Sequence, residues 1–186
     1  MRAMDTLSSE TQGVVSPFSG ESVGELLTMK PMSQLTLQQV TGLTGPRRGT
    51  RRARVQDVSA IRGIVEPLVR QRRMIEVRPV TFYESLQRFR VIEAPQQGVI
   101  GCGALQVVWD ELAEIRTIAV SPESRGSGAG SELLRDLLYE GQELGVRRVF
   151  CQTFAVHFFS RHGFVPTEVE SVSPDIYAEL LRGYDH

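Results

Sequence analysis

The stretch VSPESRGSGAGSELL, residues 120–134, constrains the fold more than any other part of this chain. Gly126, Gly128 and Gly130 fall within five positions, between an apolar run and a segment with leucines at helical spacing. A glycine in regular structure costs roughly 0.5–1 kcal/mol relative to alanine, so three glycines this close together favour a turn. The stretch therefore predicts a strand, a glycine-rich turn and a helix in succession.

This arrangement is typical of phosphate binding, because several backbone N–H groups converge on one point at the start of a helix. The helix dipole adds roughly half a positive charge there. The GxxxxGK[ST] loop of nucleotide hydrolases is excluded, since no lysine follows Lys30. The GxGxxG pattern of dinucleotide sites fails as well, because Ser131 stands where the third glycine belongs.

Hydrophobic periodicity predicts the order helix, helix, three strands, helix, strand, helix, strand and helix. The three consecutive strands are FRVIEA, GVIGCGALQVVW and LAEIRTIAV, linked as in an antiparallel meander. This order indicates an α/β fold with a mixed sheet flanked by helices. In the third strand, strict alternation would place Glu114, Arg116, Ile118 and Val120 on one face.

Residues 1–46 are rich in serine, threonine, glutamine and glycine without a sustained period, so we expect a flexible tail there. The ordered domain is expected over 47–186. It begins with a cluster of five arginines, Arg47, Arg48, Arg51, Arg52 and Arg54. We interpret this cluster either as the solvated charges of an entry strand or as an anion-binding edge. Asp57 is expected to cap the first helix, and Thr81 to begin the second with Glu84 as its capping-box partner.

The composition excludes several classes of function. The formal net charge of −1 provides no bulk attraction for nucleic acid or for an anionic membrane. No apolar stretch approaches the roughly 20 residues that span a bilayer. Two isolated cysteines are too few for a disulfide framework or a CxxC metal site, and they favour a reducing compartment. We therefore expect a cytoplasmic protein without a metal, nucleic-acid or membrane partner.

The loop residues fit the pattern R/Q-x-x-G-x-G/A and resemble the GCN5-related N-acetyltransferases, whose loop of this form holds the pyrophosphate of acetyl-coenzyme A. Three neighbouring features agree: a V-x-P-x-x-R segment over 120–125, a leucine pair at 133–134 and an F-[FY]-x-x-x-G-F segment over 158–164. The likeness covers roughly residues 50–168. It implies the acyltransferase fold of that family.

The resemblance also implies a site for acetyl-CoA. The strand residues Ile118, Ala119 and Val120 would offer backbone groups to the pantetheine, with an N–H near residue 118 polarising the thioester carbonyl. The pyrophosphate would be bound by Arg125, Gly126, Ser127, Gly128, Ala129, Gly130 and Ser131. Phe159 would contact the cofactor where many members carry a tyrosine that protonates the leaving thiolate. Tyr139 and Ser131 remain as other proton donors.

Direct transfer to an amine requires a base, since even an α-amino group has a pKa of about 7.7–8.0 and arrives largely as ammonium. Glu114 is the candidate, four residues before the expected polarising N–H. The alternative for Glu114 is a purely structural salt bridge to Arg116.

The acceptor is indicated by a second likeness. TFAVHFFSRHGF resembles the T-x-A-H-W-F-x-x-x-G-F stretch of bacterial N-acetylglutamate synthases, and residues 77–79, 101–105 and 113–117 resemble short amino-acid acetyltransferases of the same group. This implies acetylation of the α-amine of L-glutamate, the first step of arginine biosynthesis. Glutamate carries two carboxylates, which arginine binds in bidentate fashion.

Arg78 is the first candidate for carboxylate binding, with a solvated loop charge as its alternative. Arg116, Thr117 and His157 complete the candidate substrate site, although His157 could also be a cap or core histidine. Cys102, flanked by glycines, is interpreted mainly as a packing residue.

Two other functions stay open at this point. The same fold acetylates other amines, such as another amino acid, a polyamine, an antibiotic or a protein. A non-catalytic acetyl-CoA sensor is the alternative outside enzymes. Analogy with the family also suggests a homodimer.

Overall fold

The computed structural model describes residues 25–29, 49–74 and 78–167, and the elements below are those of this part of the chain. The strands are β1 (Glu25–Met29), β2 (Thr50–Arg52), β3 (Phe89–Ala94), β4 (Gly98–Trp109), β5 (Leu112–Val120), β6 (Arg148–Thr153) and β7 (Phe164–Pro166). The α-helices are α1 (Val58–Arg70), α2 (Pro79–Glu84), α3 (Ala129–Glu143) and α4 (Val156–Ser160). The helix expected over PDIYAELLRGYD lies outside the described residues.

The strands form one sheet in the order β2-β3-β4-β5-β6-β1-β7. Neighbouring strands are antiparallel, except that β5 and β6 are parallel. A parallel pair requires a crossover connection, and α3 is the helix between these two strands. The mixed sheet confirms the predicted α/β class, and β3, β4 and β5 coincide with the predicted meander.

Helices cover both faces of the sheet. On one face α3 packs against an apolar cluster that includes Leu105, Ala113, Ile115, Leu134, Leu137, Leu138, Val149 and Cys151. On the other face α1 and α2 share a cluster that includes Val58, Ile61, Val65, Phe82, Val91, Cys102 and Ala119. Gly103 permits the close approach of α3, because a Cβ there would lie 2.8 Å from Leu137 Cδ1.

A bulge interrupts β5 at Arg116. In the register with β4, Ile115 lies opposite Leu105, while Thr117 lies opposite Ala104. Two steps along β5 therefore correspond to one step along β4, and Arg116 is the extra residue. Such a bulge breaks the strict alternation of side chains between the two faces.

The bulge makes the predicted face of β5 wrong. Ala113 lies in the cluster beneath α3, and Ile118 packs against the same cluster. In a regular strand two residues five positions apart would lie on opposite faces, so the bulge accounts for their shared face. Because successive side chains alternate, Glu114 points to the opposite face, the one that α1 and α2 cover. Ala119 reaches that face after the bulge. Glu114 therefore does not share a face with Ile118 and Val120.

The beginning of the chain also differs from the expectation. Five residues of the predicted tail form β1, which pairs with both β6 and β7. The expectation of a structureless segment therefore fails for residues 25–29, and the rest of the predicted tail up to residue 46 lies outside the described residues. None of the helices in the described ranges has the length and apolarity that crossing a membrane requires.

The arginine cluster is not simply solvated. Asp57 immediately precedes α1, but its side chain makes no capping hydrogen bond to that helix. Its carboxylate instead accepts a hydrogen bond from the Arg54 N–H at 2.7 Å and pairs with Arg51 Nη1 at 2.6 Å. Arg51 also contacts Glu93 of β3. The interpretation of Arg51 as an outward, solvated charge is therefore wrong.

The second helix begins earlier than predicted. It starts at Pro79, because the fixed φ of proline suits the first turn of a helix. Arg78 occupies the N-cap position, and its side chain makes no cap hydrogen bond. The predicted start of this helix at Thr81 is therefore wrong. The stop of α3 is as predicted, since Gly145 has φ +81° just beyond its end.

Candidate active site

The strands β5 and β6 separate part of the way along their length. They pair only from Leu112–Arg148 to Glu114–Phe150. Beyond that point β6 pairs with β1 on its other side, while β5 continues to Val120 beside β4. Among the described strands, none pairs with β5 on its β6 side beyond Glu114. The opening between β5 and β6 beside residues 115–120 is called the wedge below, and an extended ligand can bind along such a strand edge.

Both parallel strands point toward the same edge of the sheet. The glycine-rich turn and α3 follow β5, and α4 follows β6, so the starts of both helices lie at the mouth of the wedge. Ligands of α/β sheets bind at this edge, outside the carboxyl ends of the strands. The fold thus brings the predicted phosphate loop and the predicted catalytic strand to one place.

Glu114 lies at the apex of the wedge, in the last register pair between β5 and β6. Its side chain is only 4% exposed, and its Oε2 accepts a hydrogen bond from Arg116 Nε at 2.8 Å. A buried carboxylate is costly without such a partner. The salt bridge proposed as the alternative to a base role therefore exists.

Neither buried cysteine is a nucleophile. Burial raises the pKa of the Cys102 thiol to about 12. Burial, together with the nearby charge of Glu114, raises the pKa of the Cys151 thiol far above its ordinary value. Both thiols stay protonated at neutral pH, and a thiol is a poor nucleophile compared with its thiolate. A covalent acyl-cysteine step is not supported by this arrangement.

The glycine-rich turn has the backbone that the sequence predicted. Gly126 has φ +81° and Gly128 φ +90°, a left-handed conformation that other residues rarely adopt. The first backbone bond of α3 runs from Glu132 N–H to Gly128 O at 3.1 Å. The N–H groups of Gly130 and Ser131 precede that bond, so neither has a partner within the helix. They are available to an anion at the mouth of the wedge.

α4 and the turn that follows it pack over the start of α3. A Cβ added at Gly130 would lie 3.4 Å from the Phe158 ring, so this glycine accommodates the ring. The His162 ring lies 4.7 Å from that of Phe158, centroid to centroid. His162 Nε2 is 3.0 Å from Ser131 Oγ. His162 is not among the site residues predicted from the sequence, although its spacing of four from Phe158 indicates a contact on one helical face.

The predicted substrate residues lie on three elements. Arg116 and Thr117 are half-buried on β5, next to Glu114. Arg78 is exposed at the start of α2, whose Phe82 packs in the cluster of the face toward which Glu114 points. His157 is exposed on α4, at the mouth of the wedge.

One predicted cofactor contact is not supported. Phe159 is 1% exposed and belongs to the core beneath α3. Its ring makes edge-to-face contacts with Phe158 and Phe164, each at 5.1 Å between centroids. The assignment of Phe159 to the cofactor is therefore replaced by a packing role. Within the described residues, no cluster of three or more His, Cys, Asp and Glu side chains is arranged to hold a metal ion.

Comparison with known proteins agrees with this geometry. Residues 65–164 match the sequence profile of the Acetyltransferase (GNAT) family. An amino-acid acetyltransferase of Mycobacterium tuberculosis is 42% identical over 137 residues, covering 73% of this chain and 78% of the relative. An amino-acid acetyltransferase of Aeromonas salmonicida is 31% identical over 137 residues, but the chain spans only 30% of its length.

Two crystal structures have a similar fold. A Mycobacterium tuberculosis protein in complex with CoA and a second ligand superposes with a TM-score of 0.67 at 42% identity, covering 73% of this chain and 82% of that one. The N-acetylglutamate synthase of Neisseria gonorrhoeae, in complex with coenzyme A and N-acetyl-glutamate, superposes with a TM-score of 0.66 at 25% identity. The match covers 73% of this chain and 32% of that one. These matches confirm the resemblance stated above, and the chain belongs to the acetyltransferase (GNAT) family, as an acetyl-CoA-dependent acyltransferase.

Proposed function

We propose that this acetyltransferase acts on amino acids and transfers acetyl from acetyl-CoA to the α-amine of L-glutamate. The observation that carries the proposal is the ion pair of the buried Glu114 with the half-buried Arg116 at the apex of the wedge. It sets one candidate base and one candidate carboxylate ligand side by side. The likeness to amino-acid acetyltransferases and to a synthase bound to N-acetyl-glutamate supports the choice of acceptor.

Acetyl-CoA would enter at the glycine-rich turn. Its pyrophosphate would lie at the N–H groups of residues 125–131, where the helix dipole favours negative charge. Its pantetheine would extend along the backbone of Ile118, Ala119 and Val120 into the wedge. An N–H near residue 118 would donate a hydrogen bond to the thioester carbonyl and stabilise the charge that develops there.

Glu114 would accept one proton from the ammonium group of glutamate, directly or through water. The neutral amine attacks the thioester carbonyl carbon, a C–N bond forms, and the C–S bond breaks. The second amine proton is then available to the departing thiolate, so the step needs no tyrosine at position 159. The products are N-acetylglutamate, CoA with a free thiol and the proton on Glu114.

The carboxylates of glutamate would be bound by arginine. Arg78, exposed at the N-cap position of α2, is the first candidate, because α2 packs on the face toward which Glu114 points. Arg116 is the second, because a substrate carboxylate competes with Glu114 for the same guanidinium. Thr117 and His157 would provide further polar contacts. We further propose that the reaction serves arginine biosynthesis in the cytoplasm, and that the protein forms homodimers.

A thiol-release assay with acetyl-CoA against the twenty amino acids, several polyamines and a lysine peptide tests this function. Release confined to glutamate, or to glutamate and glutamine, supports the proposal. Release with polyamines or the peptide alone would assign the enzyme to another amine. Binding of acetyl-CoA without release of the CoA thiol in the presence of any of these amines would favour a non-catalytic sensor.

A further inference from the structure

His162 makes two hydrogen bonds that connect α4 to the start of α3. Its Nδ1 lies 2.8 Å from Phe158 O, and its Nε2 lies 3.0 Å from Ser131 Oγ. The ring is half-buried and stacks at a tilt on Phe158, which in turn covers Gly130. The imidazole is therefore held in one orientation against the proposed phosphate site.

The first bond determines the tautomer. A carbonyl oxygen only accepts, so the hydrogen lies on Nδ1 and is donated to Phe158 O. In the neutral ring Nε2 carries no hydrogen, so the Ser131 hydroxyl must donate its single hydrogen to it. In the protonated ring the direction reverses, because Nε2–H donates to Ser131 Oγ and releases the hydroxyl hydrogen.

The direction of that bond matters to a phosphate. Ser131 lies in the first turn of α3, beside N–H groups that have no partner within the helix. A phosphate oxygen accepts hydrogen bonds and repels lone pairs, so Ser131 helps to bind it only while its hydroxyl hydrogen is free. The protonated ring provides that state, and the neutral ring does not.

We propose that acetyl-CoA binding takes up a proton at His162, which turns the Ser131 hydroxyl toward the phosphate. His162 is thus a positioning residue that acts through Ser131. The inference rests on the proposed role of the glycine-rich turn in phosphate binding.

The surrounding charges favour this coupling. Arg161 is adjacent to His162, Arg125 begins the loop, and Arg135 is one turn beyond Ser131. The acidic residues of α3 are Glu132, Asp136, Glu140 and Glu143, of which Glu132 lies in the first turn beside Ser131. Among the other neighbouring elements, β1 carries Glu25 and β7 carries no charged residue. A pyrophosphate bound at the start of α3 places negative charge beside the ring and so favours the imidazolium.

Isothermal titration of the full chain with acetyl-CoA, in two buffers of different ionisation enthalpy near neutral pH, measures this proton. We expect proton uptake in the wild type, its loss in His162→Asn and a smaller uptake in Ser131→Ala. Ionisation of the phosphates of CoA itself is common to all variants and cancels in the comparison. Ser160→Ala, an exposed serine on α4, is the matched control and should retain the uptake.

Two substitutions separate the two hydrogen bonds. Asparagine places an amide near the position of Nδ1 and preserves the bond to Phe158 O, whereas glutamine reaches Ser131 and loses the bond to the carbonyl. We expect His162→Asn to weaken acetyl-CoA binding about three- to tenfold, because the variant lacks the imidazolium, with its positive charge beside the phosphate and the Nε2–H that orients Ser131. The KM for the amino acid should change little. Wild-type affinity should fall as pH rises through neutrality, and His162→Gln and His162→Asn should remove that dependence.

The outcomes distinguish this inference from the proposed function. Failure of the wild type to bind acetyl-CoA would overturn both. Tight binding with the same proton uptake in His162→Asn as in the wild type would overturn the inference alone. Loss of the uptake in His157→Asn, with no change in the His162 variants, would also overturn it.

Discussion

Arg116 Nε donates a hydrogen bond to Glu114 Oε2 at 2.8 Å, from the extra residue of a strand bulge. The bulge rotates the strand after Glu114, so that this carboxylate and the later Ala119 face α1 while Ile118 faces α3. One irregular residue thus positions the candidate base, its arginine partner and the backbone proposed to bind the thioester.

If Glu114 is the base, Glu114→Gln should reduce kcat at neutral pH by more than tenfold, because an amide cannot accept the ammonium proton. Acetyl-CoA affinity, measured by titration calorimetry, should change little. Glu111→Gln is the matched control, since Glu111 is half-exposed in an ion pair with Arg147 at the turn before β5. A kcat for Glu114→Gln within twofold of the control would remove Glu114 as the base.

If Arg78 binds a substrate carboxylate, Arg78→Ala should raise the KM for glutamate at least tenfold, the loss of a charge-assisted hydrogen bond. The KM for acetyl-CoA should stay near the wild-type value. Initial rates at varied concentrations of each substrate measure both constants. Arg70→Ala, an exposed arginine at the end of α1, is the control. Equal effects of Arg78→Ala on both KM values would contradict the carboxylate role.

Gly128→Ala should destabilise the protein by about 1 kcal/mol or more, because φ is +90° at this position. A Cβ there meets open space, so the cost is backbone strain and not a clash. Gly63→Ala, within α1 and equally uncrowded, should instead stabilise by roughly 0.5–1 kcal/mol. Denaturant unfolding measures both. The same sign for the two substitutions would contradict the left-handed turn.

The Arg51 cluster should make stability depend on pH in the acid range. Hydrogen bonds from Arg51 hold the pKa values of Asp57 and Glu93 below their ordinary values. Such carboxylates contribute stability above their unfolded pKa values, about 3.9 and 4.3, and lose it as pH falls through the folded ones.

Arg51→Gln should therefore reduce the free energy of unfolding at neutral pH by about 1.5–3 kcal/mol through the loss of its pair with the buried Asp57 carboxylate, and the difference from wild type should shrink below about pH 4. Chemical unfolding across this pH range measures it. Arg62→Gln, which removes an exposed pair with Glu66 on α1, should cost only about 0.2–0.5 kcal/mol. A difference that is independent of pH would show that Arg51 acts through packing alone.

The sequence was sufficient for the parts of the fold that depend on local pattern. The strands β3, β4 and β5 and the glycine-rich turn follow from alternation and from backbone requirements. The bulge at Arg116 depends on pairing with β4, which no local pattern of β5 encodes. The strand β1 likewise depends on pairing with β6 and β7, which lie far from it in the sequence. Its local composition therefore predicts only a tail.

The site residues divide in the same way. Glu114 and Arg116 were identified together, and the structure places them in contact. Phe159 was assigned to the cofactor from its place in a motif, but its burial depends on how α4 packs against the core. The contact of His162 with Ser131 joins the turn after α4 to the start of α3, so only the tertiary structure identifies His162 as part of the site.

Identification of the product by mass spectrometry and NMR, after incubation with acetyl-CoA and L-glutamate, tests the proposed reaction itself. We predict glutamate acetylated on its α-nitrogen, in an amount equal to the CoA released. CoA release without acetylated glutamate would contradict the proposal. So would the absence of CoA release with glutamate, if the enzyme acetylates other amines under the same conditions.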